Sequence, residues 1–266
     1  MYPTNTILNN ISDEEYAKID AINYSSLKKF MISPIHYKNM AEEQSTDTKE
    51  SFNVGRAIHH MVLKPESYTD SWAVSPVCDK RTKDGKQAWE DFLNQSAGKS
   101  ILNPVEFETV NACGQALLKN EYMNYVLNNG VVHKECVIIT EYAGVKIKGR
   151  LDAFNETLNI VMDIKSFNKP PEVDEVIREI FGRKYHYQAY IYNTLAKAVT
   201  GKDPIFQWCF VEKKTPNSIG WFQYSGRLVS DFAVENIEAS LSRFENSKIN
   251  NVWAGFPYEN EPYILT

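Results

Sequence analysis

Two aspartates and a lysine stand on neighbouring strand candidates in the middle of the sequence. Asp152 lies near the end of the alternating segment VKIKGRLDAF. Asp163 and Lys165 share one face of the next segment, NIVMDIKS, about 7 Å apart by the rise of a strand. A hairpin turn at residues 155–159 would set Asp152 opposite residues 161–163. The three charged side chains would then share one patch of one sheet.

Such a patch suits a divalent metal ion. Two carboxylates bind a hard cation such as Mg²⁺ or Mn²⁺, which can lower the pKa of a bound water and neutralise charge on a phosphate. A lysine beside them can orient the attacking water or stabilise the developing negative charge. The alternative is a surface ion pair between Asp163 and Lys165 that has no chemical role.

Two predicted helices carry residues that could join this site. In the segment GRAIH, Gly55 permits close helix packing and His59 could offer its imidazole to the metal. A helical histidine is also often structural, and the adjacent His60 leaves the choice between the two open. On the helix predicted over 183–199, Gln188 lies on an otherwise apolar stripe, so it is either a hydrogen-bonding core residue or a site residue.

The predicted elements run from helices to strands, which gives an α/β chain of the α+β kind. Apolar residues at helical spacing predict helices over 23–31, from the Ser33 cap onward, over 52–63, 88–94 and 104–127. Alternation predicts strands over 134–140, 145–154, 159–166, 205–212 and 219–224, with helices over 183–199 and 230–246. The first three strands should form an antiparallel meander. We expect a central mixed, mostly antiparallel sheet flanked by helices, with a helical region before it.

Length and composition indicate one globular domain. The chain has 266 residues, of which 43% are hydrophobic and 24% charged, and it contains no internal repeat and no linker rich in Gly, Ser or Pro. We therefore expect a single domain over 1–266. Within it, 1–130 is mainly helical, 131–225 contains the sheet and helix of the site, and 226–266 contains a closing helix and tail.

Charge and cysteine spacing argue against several classes of protein. The net charge of -5 argues against bulk coating of nucleic acid, but it permits an enzyme with a local basic groove and an acidic metal site. The four cysteines form no CxxC pair, so neither a zinc knuckle nor a disulfide framework is indicated. Since no long apolar run or leader pattern occurs, we expect a cytoplasmic protein with no membrane partner.

Four motifs occur in a suggestive order and spacing: GRAIH (55–59), GRLD (149–152), the D-x-K of MDIKS (163–165) and Q-x-x-x-Y (188–192). Together they resemble the PD-(D/E)XK nuclease superfamily, in its RecB and lambda-exonuclease-like branch. The segments INYSSLKKFMISPIHYK and KRTKDGKQAWEDF are similar to the phage RecE-type exonuclease domain. The resemblance extends over residues 20–245 and implies a PD-(D/E)XK nuclease core.

The resemblance also implies a role for individual residues. The metal ligands it implies are His59, Asp152, Asp163, the backbone carbonyl of Ile164 and the acidic Glu135. The catalytic residues it implies are Lys165, Asp163, Asp152, Gln188 and Tyr192. One or two Mg²⁺ or Mn²⁺ ions are expected. No iron–sulfur cluster is expected, because Ser33 stands at the first cysteine position of the RecB-branch members that carry one and no cysteine follows Cys209.

The implied reaction is hydrolysis of phosphodiester bonds at double-stranded DNA ends, 5′ to 3′. Family members leave a 3′ single strand for an annealing protein and form ring-shaped homo-oligomers, so we expect both partners and a role in phage-type recombination, in the cytoplasm of a bacterial host. The candidate phosphate contacts are Lys80, Arg81, Lys83 and Lys86 in a basic loop, and Lys146, Lys148 and Arg150 on the strand face. For the loop residues, solvated surface charge is the alternative.

Two other functions stay open. One is a RecB-like repair or defence nuclease, including an endonuclease, which keeps the chemistry and changes the substrate. The other is a module with the nuclease fold that only binds DNA or a partner. The intact set of Asp152, Asp163 and Lys165 argues against this second alternative, because a binding module has no need of two carboxylates beside a lysine.

Overall fold

The elements before the main sheet are mostly short. The computed structural model describes residues 2–40 and 49–258. The first elements of the described chain are β1 (Thr6–Leu8), α1 (Asp13–Lys18), β2 (Ile22–Asn23), α2 (Tyr24–Phe30), α3 (Pro34–Lys38) and α4 (Lys49–Leu63). After a 3₁₀ turn at Pro65–Ser67 come α5 (Tyr68–Ser71), β3 (Trp72–Val74), α6 (Lys83–Gln95), β4 (Ser100–Leu102), α7 (Pro104–Lys119) and α8 (Glu121–Asn128).

The second half contains the long strands. They are β5 (Val132–Tyr142), β6 (Val145–Asn155), β7 (Ile160–Phe167), β8 (Ile205–Glu212) and β9 (Ile219–Gln223). The helices between and after them are α9 (Val173–Gly182), α10 (Tyr185–Thr200) and α11 (Asp231–Asn250). All five strands were predicted, with bounds that differ by at most two residues, whereas α9 was not.

A mixed sheet of seven strands, counted over the described residues, forms the centre of the fold. Its order is β1-β5-β6-β7-β8-β9, and β2 pairs in parallel with part of β6. The β5–β6–β7 run is antiparallel, β7 and β8 are parallel, and β9 returns antiparallel to β8. The parallel pair requires a crossover, which α9 and α10 supply. The predicted fold class, a mostly antiparallel mixed sheet flanked by helices, is confirmed.

Helices bury both faces of this sheet. On one face, Phe206, Trp208 and Phe210 of β8 pack in a cluster with residues of α2, α10 and α11. On the other face, Met162 and Ile164 of β7 pack in a cluster with residues of α4 and α7. Among the described helices, none combines the length and the apolar character needed to cross a membrane.

Three predicted elements differ from the structure. The helix expected over 104–127 is two helices, because the Asn120 side chain accepts a hydrogen bond from the Met123 N–H and begins α8. The basic loop is shorter than expected, because Thr82 caps a helix that spans Lys83–Gln95. The N-terminal part, predicted to be mainly helical, also contains short strands that were not predicted, since β1 pairs with β5 and β2 pairs with β6.

Candidate metal centre and active site

The site forms where β6 and β7 separate. Their pairing runs from Asn155↔Ile160 to Ala153↔Met162 and then ends. In the gap beyond it, the Oδ2 atom of Asp152 accepts a hydrogen bond from the Ile164 N–H, 2.8 Å away. The predicted hairpin, with Asp152 opposite residues 161–163, is consistent with this register. The contact of the carboxylate with the β7 backbone was not predicted.

His59 reaches the same point from α4. The preceding Ala57 and Ile58 are fully buried against the sheet. The Nε2 atom of His59 lies 2.9 Å from the Ile164 carbonyl oxygen, and its Nδ1 atom lies 3.4 Å from Asp152 Oδ2. Since a carbonyl only accepts hydrogen bonds, Nε2 carries a proton.

His60 has a different role. Its Nδ1 atom accepts a hydrogen bond from the Trp72 indole N–H at 3.1 Å, and its Nε2 atom lies 2.8 Å from the Ser67 hydroxyl. Both ring nitrogens are therefore used in contacts away from the carboxylates. Of the two histidines between which the sequence left the choice open, the structure brings His59 to the site.

Glu135 completes a group that could hold a metal ion. It faces Asp152 between the pairs Lys134↔Ala153 and Cys136↔Leu151. Its φ of 51° lies in the left-handed region, a costly conformation for a glutamate. One ligand atom from each of His59, Glu135 and Asp152 lies within 4.8 Å of the others. One imidazole nitrogen and two carboxylate oxygens fit a divalent cation, so these residues match the expected metal.

Asp163 and Lys165 form a second group beside the first. The Lys165 ammonium lies 2.7 Å from Asp163 Oδ2 and donates to Gln188 Oε1 at 3.2 Å. The Gln188 amide donates to Asp163 Oδ1, also at 3.2 Å. Tyr192 lies beside Gln188, and the centroid of the Tyr185 ring lies 4.4 Å from Lys165 Nζ. Gln188 therefore contacts both charged residues.

This arrangement separates the ligands that the resemblance implied. Both oxygens of Asp163 face Lys165 and Gln188, so Asp163 lies outside the group that converges for a metal. The Ile164 carbonyl faces His59. Glu135 belongs to the converging group together with His59 and Asp152.

The charges of the two groups compensate one another. Burial alone would lower the pKa of His59, but the carboxylates of Asp152, Asp163 and Glu135 together outweigh it and raise this pKa to about 9. Burial raises the pKa of Asp163 to about 6, although Lys165 opposes the shift, and it raises the pKa of Glu135 to about 6. Protonation of His59 therefore offsets the negative charge of the carboxylates around it, a charge that a bound metal cation would also balance.

A cleft of about 440 Å³ opens onto the metal group and contains cations that the sequence analysis did not single out. Arg56 and Lys64 line it together with Arg150. The available signal was helical spacing for Arg56, which lies three residues before His59 on α4, whereas Lys64 directly follows the last residue of that helix.

The basic strand face of β6 is not the open surface that alternation predicted. Lys148 is only 4% exposed, and its ammonium donates to the carbonyl oxygens of Tyr16 and Ile19 at 2.6 and 2.9 Å. Arg150 binds the Asp13 carboxylate and the Ile11 carbonyl. The N-terminal segment covers this face, so the prediction of Lys148 as a phosphate contact is wrong. Lys146 is exposed.

The four basic residues at 80–86 lie apart from the cleft, because none of them lines it. Lys80 packs over the Trp89 ring, 3.0 Å from its centroid, and Arg81 makes two hydrogen bonds of 3.0 Å to Asp79. Lys83 and Lys86 are exposed on α6 rather than in a loop. Their contact with DNA stays a prediction.

Gly149 allows α10 to approach β6 closely. A Cβ atom added there would lie 2.5 Å from Leu195 Cδ1 and 3.1 Å from the Tyr192 ring. Glycine at this position therefore lets α10 bring Gln188 to the site. At Gly55 an added Cβ would meet only Ser166 Oγ, at an ordinary 3.6 Å, so the close packing expected there is wrong.

Comparison with known proteins identifies the family. A candidate exonuclease from Eubacterium rectale superposes over 97% of this chain and 95% of its own, with a TM-score of 0.62 at 16% identity, which shows a shared fold. A phage-related exonuclease from Haemophilus somnus 129PT covers 87% of this chain and 96% of its own, with a TM-score of 0.39 at 16% identity. A search of curated proteins gave no match. The model of the PDDEXK-like domain of unknown function (DUF3799) matches residues 23–256, and the chain therefore belongs to this PDDEXK-like family.

Proposed function

We propose that this protein is a metal-dependent deoxyribonuclease that hydrolyses phosphodiester bonds at double-stranded DNA ends in the 5′ to 3′ direction. The observation that carries the proposal is the meeting of His59, Glu135 and Asp152 beside the Asp163–Lys165 pair. Membership of the PDDEXK-like family supports it, because such nucleases use divalent metal ions.

His59, Glu135 and Asp152 would hold Mg²⁺ or Mn²⁺, as one or two ions, with Asp163 and the Ile164 carbonyl as further candidate ligands. The bound cation would supply neutralisation of the scissile phosphate and a lowered pKa for a bound water.

The remaining catalytic and positioning roles would belong to side chains of the protein. The Lys165 ammonium is held between Asp163 and Gln188. Burial lowers its pKa, but Asp163, Tyr185 and Asp152 together outweigh burial and raise it. A cation fixed in this way can orient the attacking water or stabilise negative charge that develops on the phosphate. Gln188 hydrogen-bonds to both charged side chains, and Tyr192 lies beside Gln188.

Arg56, Lys64 and Arg150 are the proposed phosphate contacts at the cleft. Contacts of this kind position DNA without reading its sequence. The resemblance to RecE-type exonucleases supports action at ends, the 5′ to 3′ direction, a ring-shaped homo-oligomer and a single-strand annealing partner. The exonuclease description of the Eubacterium rectale protein is consistent with action at ends.

The test is digestion of linear duplex DNA labelled at either the 5′ or the 3′ end, with closed circular duplex alongside. We expect shortening of linear DNA from the 5′ ends only when Mg²⁺ or Mn²⁺ is present, and no cleavage of circles. Asp163→Ala should abolish cleavage. Cleavage of circles would favour the repair or defence nuclease, and DNA binding without any cleavage would favour the non-catalytic module.

A further inference from the structure

Cationic side chains lie close together where α9 meets α10, beside Tyr185, whose ring centroid lies 4.4 Å from Lys165 Nζ. Lys28 of α2 donates from Nζ to the Arg183 carbonyl at 3.2 Å. One turn earlier on α2, the Tyr24 hydroxyl donates to the Lys184 carbonyl at 2.5 Å. These hydrogen bonds connect α2 to the junction between α9 and α10 and place Lys28 beside Arg183 and Lys184. We name this surface, together with Lys213, the junction cluster.

The positively charged side chains of the junction cluster repel one another. Burial lowers the pKa of Lys28, and the charges of Arg183 and Lys184 lower it further, with a smaller contribution from Lys165. Burial and Arg183 also lower the pKa of Lys213. Glu179 pairs with Arg183 at 2.8 Å, whereas Lys28, Lys184 and Lys213 have no ion-pair partner within residues 2–40 and 49–258. In a protein of net charge -5, such a concentration of positive charge indicates a polyanionic ligand.

The backbone of Lys184 gives an independent indication. Its φ of 59° and ψ of 34° lie in the left-handed region, which glycine or asparagine adopts at lower cost. The other left-handed positions in the described chain contain glycine or asparagine, except Ala143 in the β5–β6 turn and Glu135 in the metal group. Costly conformations of this kind concentrate at functional sites. A lysine at position 184 therefore suggests that its side chain is needed there.

Aromatic rings lie among these cations. Phe181 is 46% exposed, and its ring centroid lies 4.7 Å from that of His186. The His186 ring contacts that of Tyr187 at 4.5 Å, and Lys184 Nζ lies 5.9 Å from the Tyr187 ring. Surfaces that bind unpaired nucleic acid combine cations for the phosphates with aromatic rings on which bases stack. Paired bases do not present their faces in this way.

We propose that the junction cluster binds a single-stranded stretch of DNA that continues from the phosphate at Lys165. Lys28, Lys184 and Lys213 contact phosphates, and Phe181 stacks on a base. The proposal rests on the proposed nuclease function for its place beside the active site. The binding itself requires neither metal nor cleavage.

The test measures binding in EDTA, with a labelled oligodeoxythymidylate of about 20 nucleotides and a duplex of the same length. Lys28→Ala combined with Lys184→Gly should weaken single-strand binding about tenfold and reduce the salt dependence by about 0.7 for each lost phosphate contact. Phe181→Ala should weaken binding of the single strand more than that of the duplex. Because glycine relieves the backbone at position 184, Lys184→Gly should melt at the same temperature as the wild type or higher.

Lys202→Ala is the matched control, because Lys202 is exposed just past the other end of α10, about 24 Å away by the helix rise. It should leave binding unchanged. The proposal is overturned if the junction variants bind normally, if Lys202→Ala weakens binding equally, or if Phe181→Ala affects the two probes alike. Junction-dependent binding without cleavage under any metal would contradict the proposed function alone. Cleavage with normal binding by the junction variants would contradict only this inference.

Discussion

Asp152 and His59 hold the two backbone polar groups of one residue, Ile164. The carboxylate accepts from the Ile164 N–H at 2.8 Å, and the imidazole donates to the Ile164 carbonyl at 2.9 Å. These side chains come from β6 and α4, and Ile164 lies on β7. The metal group therefore depends on three elements packed together, so local sequence alone cannot create it.

Asp152→Asn removes the negative charge of this side chain without removing its hydrogen-bond acceptor. The amide oxygen can still accept from the Ile164 N–H, so we expect the fold to survive. Loss of the carboxylate charge should weaken Mn²⁺ binding by about 10- to 100-fold, measured by calorimetry, and slow cleavage at least as much. Asp79→Asn, which removes the surface charge that pairs with Arg81, is the control and should change neither quantity. Normal Mn²⁺ affinity in Asp152→Asn would exclude Asp152 as a ligand.

Part of this site could be predicted because strand alternation is a local property. Asp152, Asp163 and Lys165 follow from two strands and one hairpin, and the structure has that hairpin. The choice between His59 and His60 could not be made, because neighbouring helical residues point in different directions and only the packing of α4 determines which one meets the sheet. Glu135 depends on a left-handed backbone that no pattern in the sequence indicated.

His59→Ala and His60→Ala should differ in their effect on cleavage. His59→Ala removes a candidate ligand, so metal-dependent cleavage should fall by at least about tenfold while folding is retained. His60→Ala leaves Trp72 and Ser67 without their partner and should lower the free energy of unfolding by about 1–3 kcal/mol, with cleavage by the folded protein intact. Urea unfolding and cleavage rates measure the two effects. Equal loss of cleavage in both variants would contradict the assignment of His59.

The parts of the fold that could not be predicted are those fixed by tertiary pairing. β1 has three residues and β2 has two, too few for a period to appear, and they exist because they pair with β5 and β6. The same segment covers Lys148, a lysine that alternation assigned to solvent. The break between α7 and α8 depends on one capping side chain, Asn120, within an otherwise helical pattern.

Alanine at two glycines should change stability in opposite directions. Gly149→Ala places a methyl group against the buried Leu195 and Tyr192, which should cost about 1–3 kcal/mol and reduce cleavage through displacement of α10. Gly55→Ala has room for the methyl group in a helix interior and should stabilise the protein by about 0.5–1 kcal/mol. Denaturant unfolding measures both. If Gly55→Ala proved to be destabilised, the result would support the close helix packing that the sequence predicted at Gly55.

Titration of the metal-free centre should make the protein less stable as the pH rises from about 5 to about 10. The folded-state pKa of His59 is raised from 6.5 to about 9, so its contribution is fully present below 6.5 and is lost as the pH rises through 9. Asp163 and Glu135, with pKa values raised to about 6, act in the same direction at lower pH. We therefore expect the melting temperature in EDTA to fall over this range.

Added Mn²⁺ should restore most of the melting temperature that the protein loses at high pH in EDTA. Metal binding to His59 requires loss of its proton, which is easier at high pH, so Mn²⁺ should raise the melting temperature more at about pH 8.5 than at about pH 6.5. His59→Ala should flatten the decline between about pH 6.5 and pH 9 in EDTA, whereas His60→Ala should keep it. If the melting temperatures of wild type and His59→Ala fell equally with rising pH in EDTA, protonated His59 would not be the group that balances the carboxylate charges in the absence of metal.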